Sequence, residues 1–406
     1  MDRKHQYLSA NDHNGSAEQT VKPKHKRIAW LDIAKGLGMV AVVCGHNMPH
    51  FIMNNDANRY LYNFIYWWHM PLFFLIAGFF LKPIDLLDVQ KVLTFLKKRV
   101  WPIFSSYFVA GFLLIIAYKF IHNKSITYSL TYVLDLFYGG QTLKHYTTIF
   151  WYPETYILGI IGTVAIISLI RSRFLQLVIA AYFIYWSTGY VHETKFQFFG
   201  VVTAPWDIDV AVLVIAYMLV GYNLFYFFKH YLTKWYVFIP SVGIVGWLFM
   251  QLKDQKLSFL LFMRSHQISG TYQNVPVTHL QLALMVGLIP LLCSLVVFGI
   301  SDIIAFPLLF TRQAAKTWLF PVQFLAKSLT IAGKHTLIIM YMHKMLLDVL
   351  RRIQVNSFWV QVLIATVLPV LIGMAYKQFK IHHANEWQLN WFKWPVKFKQ
   401  QEKDKS

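Results

Sequence analysis

The sequence predicts an all-α, polytopic membrane protein of about ten transmembrane helices with both termini cytoplasmic. Three observations carry this. Of its 406 residues, 57% are hydrophobic and only 14% charged, too apolar a balance for a soluble chain of this size. Apolar runs long enough to cross a hydrocarbon core of about 30 Å recur from end to end. The 38 lysines and arginines gather in alternate connecting segments, as the positive-inside rule requires.

Taken in order, the runs fall at 29–50, 60–81, 100–121, 149–170, 174–190, 206–228, 235–252, 278–300, 335–353 and 357–376. Residues 1–27 make a polar, basic N-tail, 28–378 the transmembrane domain and 379–406 a basic, Trp-rich C-tail. The N-tail has no apolar core followed by a small-residue cleavage site, so the first run is read as a retained helix. Within 60–81, Pro71 predicts a kink, because it removes a backbone hydrogen bond in mid-helix. Segments 124–140 and 319–334 show helical spacing interrupted by polar residues and read as interfacial or re-entrant pieces. In the C-tail, Trp387, Trp391 and Trp394 are interleaved with Lys393, Lys397 and Lys399, the pattern of an interfacial anchor on an anionic leaflet.

With both termini inside, the inner segments carry 26 Lys and Arg and the outer segments 10; Lys35 and Lys344 lie within spans. Arg351 and Arg352 are the dissenting pair, falling on the outer side. No segment between spans is long enough for a second domain, so the membrane domain itself must do any chemistry.

The formal net charge of +20 does not mark a nucleic-acid-binding protein, because the basic residues are dispersed in short connections rather than gathered on one soluble face. Cys44 and Cys293 both lie in apolar runs, which suggests neither a disulfide framework nor a thiolate metal site. No metal-binding motif is present, and no GxSxG elbow.

The first run contains the most informative residues. Lys35 and His46 are eleven residues apart, about three helical turns plus 20°, and therefore share one face about 16 Å apart along the axis. Asp32 lies within about 60° of both. Three ionisable groups on one stripe of a membrane helix must face protein or a wet cavity, since lipid exposure costs each several kcal/mol.

The motif Asp32-x-x-Lys35-Gly36-x9-His46 is followed by His69-Met-Pro71-Leu-Phe73-Phe74-Leu-Ile-Ala-Gly78-Phe79, then by Lys98-Arg99-x-x-Pro102, and late in the chain by Gly333-Lys334-His335-Thr336-Leu337 with His343. Together these resemble the acyltransferase 3 family of integral-membrane O-acyltransferases, most closely its fucose 4-O-acetylase-like branch. The commonest form of the first motif has arginine where this chain has Lys35, a point charge without the bidentate fork.

The resemblance implies that His46 is the general base that deprotonates an acceptor hydroxyl, a task suited to imidazole near neutral pH; the alternative is a histidine that packs helices. It implies further catalytic residues in Lys35, Asp32, His69 and His343, and a coenzyme A seat at Arg27, Lys98 and Arg99. Each has a plainer reading. Asp32 and Lys35 neutralise each other on insertion, His69 satisfies a turn broken by Pro71, His343 bonds a neighbouring helix, and the basic residues at 97–99 signal topology. Gly36, Gly38 and Gly45 admit either a close helix or a slim pantetheine arm. Trp151 and Glu154, at the outer end of the fourth run, are acceptor-binding candidates or members of an interfacial belt. Asp207 and Asp209 are weaker acceptor candidates.

The implied function is an O-acyltransferase, most simply an O-acetyltransferase, that moves an acyl group from cytoplasmic acyl-CoA (acetyl-CoA) to a hydroxyl of a cell-envelope or exported polysaccharide, in a bacterial cell membrane. Acyl-CoA is a co-substrate, with no bound cofactor and no metal; the partners are that donor, the glycan acceptor and the bilayer. Direct transfer and an acyl-histidine intermediate both suit the residues. The competing class is a transporter or flippase of a glycan or lipid-linked precursor, disfavoured because the first-helix pattern does not repeat in the second half.

Overall fold

A computed structural model describes residues 28–51, 56–193, 204–265, 267–309 and 320–382. Arg27, most of both tails including the C-terminal tryptophans, and residues 310–319 lie outside the described residues.

Every predicted run is helical, with one correction. Helix α1 covers Ala29–Asn47, but the second run is two short helices, α2 (Asp56–Tyr66) and α3 (His69–Phe79). The break falls at Trp67–Trp68, so Pro71 sits in the first turn of α3 and not at a mid-helix kink. There its missing N–H deprives no carbonyl of a bond, and the proline ring meets no preceding turn. At the break the Ile65 carbonyl accepts from the Trp68 N–H at 3.3 Å and from His69 Nδ1 at 2.8 Å.

Helix α4 (Val89–Phe95) starts at Asp88, whose carboxylate accepts from the N–H groups of Gln90 and Lys91. It runs through a π-helical turn at Leu96–Val100 into α5 (Trp101–Ile121), which carries Pro102 in its first turn. The two segments expected to be interfacial or re-entrant are both helices. The first is α6 (Ile126–Tyr138), capped by the Ser125 hydroxyl. Helices α7 (Trp151–Leu169), α8 (Arg173–Glu193), α9 (Ile208–Phe228) and α10 (Trp235–Lys253) follow. After them come α11 (His279–Ala305), α12 (Phe320–Lys334, the second such segment), α13 (Thr336–Arg352) and α14 (Phe358–His382). Among the described residues seven helical stretches are long and apolar enough to cross a membrane. Of the ten predicted spans, the remainder are the broken α2–α3 pair, α8, and α13 with its four charged residues.

A small antiparallel sheet is added to the helices without changing the all-α class. Strands β1 (Leu257–Phe262), β2 (Gln267–Tyr272) and β3 (Val275–Pro276) pair in that order, with Leu257 opposite Tyr272 and Phe262 opposite Gln267. Leu257, Phe259 and Leu261 point inward at the period of a strand. The Trp67 indole donates to the Phe259 carbonyl at 2.9 Å, tying the sheet to the break between α2 and α3.

Helix α1 lies at the centre, packed by α3, α11, α12, α13 and α14, while α9 packs against α3, α7 and α8. The crossings of α1 on α12 and of α3 on α9 are both close, the second across Gly78 and Gly221. A Cβ on Gly36 would collide with the Leu329 carbonyl, and one on Gly333 with the Asp32 carbonyl, so here glycine serves helix approach. Helices α5, α10 and α14 turn large apolar side chains such as Leu113, Trp247 and Leu363 outward, as lipid-facing helices do.

Arg351 and Arg352, against the charge bias, are held by partners at the end of α13. Arg351 donates to His50, beyond the C-terminal end of α1. Arg352 donates to His122 Nδ1 at 2.6 Å and to Asp348 at 3.3 Å. His122 Nε2–H in turn donates to Asp348 at 2.9 Å, and the Tyr146 hydroxyl to the same oxygen at 2.5 Å. Thus the C-terminal ends of α1, α5 and α13 lie together, as three helices running in the same direction require.

Candidate active site

A cavity of about 470 Å³ runs beside α1, lined by Lys35 and His46 of that helix, by Lys98 and Arg99 of the π-helical turn, and by Trp151 of α7 and His343 of α13. The helical period puts Lys35 and His46 on one face, and the structure gives that face to the cavity. A second cavity, of about 600 Å³, shares Phe80, Leu81, Lys98 and Arg99 with the first and adds Lys82, Asp85, Gln90 and Lys91. Lys98 and Arg99 therefore stand where the two spaces meet. A π-helical turn widens the backbone at that point, and such turns recur at functional sites.

At one end of the polar stripe, Lys35 Nζ lies 2.6 Å from Asp32 Oδ1. Asp32 is buried under α12, and only Lys35 of the pair reaches the cavity.

At the other end, the His46 and His343 rings lie 5.1 Å apart, centroid to centroid, tilted by 40°. His343 is fully buried; its Nδ1–H donates to the Ile339 carbonyl at 3.0 Å, which leaves Nε2 as a lone pair with no hydrogen-bond partner. His69 is held in the same way by Ile65, with its ring edge-on to Tyr66. His69 is within electrostatic range of His46 but does not line the cavity. Lys344 and Arg264 are also within range of His46, and Lys344 donates to the Thr148 hydroxyl.

Trp151 faces the cavity, whereas Glu154, one turn further along α7, is fully buried behind it. Its carboxyl oxygens are engaged by the Tyr107 hydroxyl at 2.5 Å and the Gly140 N–H at 2.8 Å. Asp207 is buried beside this group, next to Gly140. Asp209 lies in the first turn of α9, where its carboxylate accepts from the Val210 N–H.

Arg264, at the turn between β1 and β2, was not singled out by the sequence except as one of the outer charges. Its Nη2 donates to the Leu143 carbonyl at 2.8 Å, and Nε is buried without a hydrogen-bond partner. Burial pushes its guanidinium down from the usual range, while the carboxylates of Asp207 and Glu154 act to raise it; it remains a cation. The alternation Leu257-x-Phe259-x-Leu261-x-Met263 hints at a strand, but Arg264 has the parity of the opposite face, so the turn and not the strand period brings it inward, and no sequence signal singles it out.

The late motif shapes the cavity wall. Gly333 brings α12 onto α1, Thr336 and Leu337 line the cavity, and His335 Nδ1 donates to the Ile331 carbonyl at 2.9 Å where α12 gives way to α13.

A bundle of apolar helices with a cavity lined by Lys35, Lys98 and Arg99 and by His46 and His343 is the architecture of a polytopic membrane protein. The family model of an acyltransferase domain, acyltransferase 3, matches residues 28–377, and the chain belongs to that family: it is a membrane acyltransferase. Comparison with curated proteins and with solved structures finds no significant match.

Proposed function

We propose that this protein transfers an acyl group, acetyl in the first instance, from cytoplasmic acyl-CoA to a hydroxyl of a cell-envelope or exported glycan in a bacterial cell membrane. The observation that supports this best is a single cavity with Lys35, Lys98 and Arg99 toward one end and His46 with His343 at the other. Several cations around one opening suit the phosphates of coenzyme A, adding both affinity and on-rate. The largely apolar lining between Lys35 and His46, about 16 Å of helix rise, suits a pantetheine arm. His46 then meets the thioester and the acceptor hydroxyl together, as a general base must. Trp151 supplies a flat aromatic face beside that point. The likeness to fucose 4-O-acetylase-like enzymes supports a small acyl group and a sugar hydroxyl.

The test is thiol release from acetyl-CoA by the purified protein in nanodiscs, with glycan acceptors supplied. Wild type is expected to release thiol in proportion to ester formed on the glycan. His46→Ala is expected to lose 10²-fold or more, the order of a general-base contribution, while remaining folded. Absence of acetyl-CoA consumption by wild type with every acceptor overturns the reading; a fully active His46→Ala removes that residue from it.

A further inference from the structure

The lone pair on His343 Nε2 is the least explained polar atom beside the cavity. Its tautomer is set by the backbone, because Nδ1–H is committed to the Ile339 carbonyl, so Nε2 can only accept a hydrogen bond. It is buried and accepts none. Such an orphan costs about 1–3 kcal/mol unless something is built to meet it.

His46, whose ring lies beside that of His343, is the candidate donor. Two imidazoles joined by an N–H···N bond have centroids about 5 Å apart, since each ring nitrogen lies about 1.1 Å from its centroid and the bond spans about 2.9 Å. The observed separation is 5.1 Å. Neither nitrogen of His46 is bonded to protein among the described residues, so a rotation of its ring toward α13 breaks no existing bond. The groups in range of His46 from the elements around it are His343 and Lys344 of α13, His69 of α3 and Arg264 of the hairpin turn. All are bases or cations, and no carboxylate is among them to take the orienting role that an aspartate has in many catalytic triads.

We propose that His343 is the positioning residue for His46: His46 donates one ring N–H to His343 Nε2 and thereby presents its other nitrogen, as a lone pair, to the acceptor hydroxyl. The inference rests on the acyl-transfer reading above and adds the source of the base's orientation. As the acceptor oxygen bonds to the thioester carbon, its proton passes to the free nitrogen of His46. As the carbon–sulfur bond breaks, the electron pair leaves on sulfur, and His46 passes the proton it took from the hydroxyl to that sulfur, releasing the thiol. His343 gains and loses no proton; it holds the ring and shares the transient charge. A neutral acceptor fits this surrounding, because the imidazolium it supports forms only during the reaction.

The experiment uses the full chain in nanodiscs with acetyl-CoA and a mixture of maltotriose, cellotriose and chitotriose, reading thiol release and ester formation across pH. His343→Gln offers a carbonyl oxygen in place of Nε2 and is expected to stay within about 3-fold of wild type. His343→Leu is expected to lose about 10²-fold in kcat with KM for acetyl-CoA unchanged. His343→Asp places an anion beside His46, which favours the imidazolium, so the acidic limb of its pH–rate profile is expected to move up by about one pH unit. A structural role alone would not move that limb. Equal loss in His343→Gln and His343→Leu, wild-type activity in His343→Leu, or an unmoved limb in His343→Asp overturns the proposal while leaving acyl transfer intact. Should His343→Leu fail to fold, the limb in His343→Asp and the activity of His343→Gln decide. A wild-type protein that consumes no acetyl-CoA overturns the underlying reading instead.

Discussion

Tyr107 and Glu154 share a hydrogen bond of 2.5 Å between helices α5 and α7, wholly out of contact with solvent. The Tyr107 hydroxyl has a single proton and a second acceptor, the Leu136 carbonyl, at 2.7 Å. Glu154 Oε2 meanwhile accepts from the Gly140 N–H, at a turn where φ is +62°. This carboxyl group knits α5, α7 and the turn after α6 together, close behind the Trp151 face of the cavity.

Glutamine can make every one of these bonds. Its carbonyl accepts from Gly140, and its amide donates to Tyr107, freeing the tyrosine proton for Leu136. Glu154→Gln is therefore expected to keep near-native thermal stability in detergent. Glu154→Ala leaves a buried hydroxyl and N–H to find new partners and is expected to cost about 1–3 kcal/mol for each unsatisfied group. Melting curves followed by fluorescence size exclusion make the comparison. If glutamine is as damaging as alanine, the charge on Glu154 matters in itself and not only its bonding.

The α1–α12 crossing makes a second prediction. Gly36→Ala and Gly333→Ala each press a methyl group into a backbone carbonyl of the facing helix, which a rotamer change cannot relieve. Both are expected to lower the yield of folded protein sharply. Gly38→Ala meets only the side-chain ends of Leu72 and Phe73 and is expected to be tolerated. Equal yields of the three variants would mean that the helices part more easily than their packing implies.

What was legible in the sequence was local. Long apolar runs announced the helices, and the eleven-residue spacing put Lys35 and His46 on one face before any neighbour was known. The break at Trp67–Trp68 is hidden because both residues are apolar and continue the run, so Pro71, which opens a helix, carries the sequence signature of a kink within one. The hairpin was masked by Leu260 and Phe262, which blur the alternation of Leu257, Phe259 and Leu261. Least legible were the long-range pairings. Nothing near His46 in the chain indicates that His343 will stand 5.1 Å away, nor that Arg264 will reach Leu143. Those distances follow from which helices pack together, and apolar periodicity does not specify that.

Lys35 tests the departure from the arginine common in its motif. It is paired with Asp32 at 2.6 Å yet reaches the cavity, so a point charge held by one carboxylate occupies the place of a fork. If charge alone is used there, Lys35→Arg is expected to stay within about 3-fold of wild type in acyl transfer, and Lys35→Met to lose at least about 10-fold, the loss that about 1.4 kcal/mol represents. Lys35→Met also strands Asp32, so Asp32→Asn/Lys35→Met is the control. Recovery of activity in the double variant would assign Lys35 to neutralising Asp32 and nothing more.

The meeting point of the two cavities gives the last prediction. Lys98 and Arg99 line both spaces, and they lie on the π-helical turn, so neither their position nor their number is needed for helix formation. As topology signals they would act during insertion and be silent afterwards; as a phosphate seat they would act at every turnover. Replacing both with glutamine separates these roles, because inner-side charges remain at Lys82, Lys91 and Lys97 to orient the helix. Under the proposed donor, the double variant is expected to raise the apparent KM for acetyl-CoA by about 10-fold or more, with little change in acceptor dependence. Its KM should also rise less steeply with salt than that of wild type, since screening acts on the very attraction that has been removed. A variant that inserts normally and shows wild-type KM and wild-type salt dependence would confine Lys98 and Arg99 to topology and move the search for the donor's phosphates to Lys82 and Lys91 in the adjoining cavity.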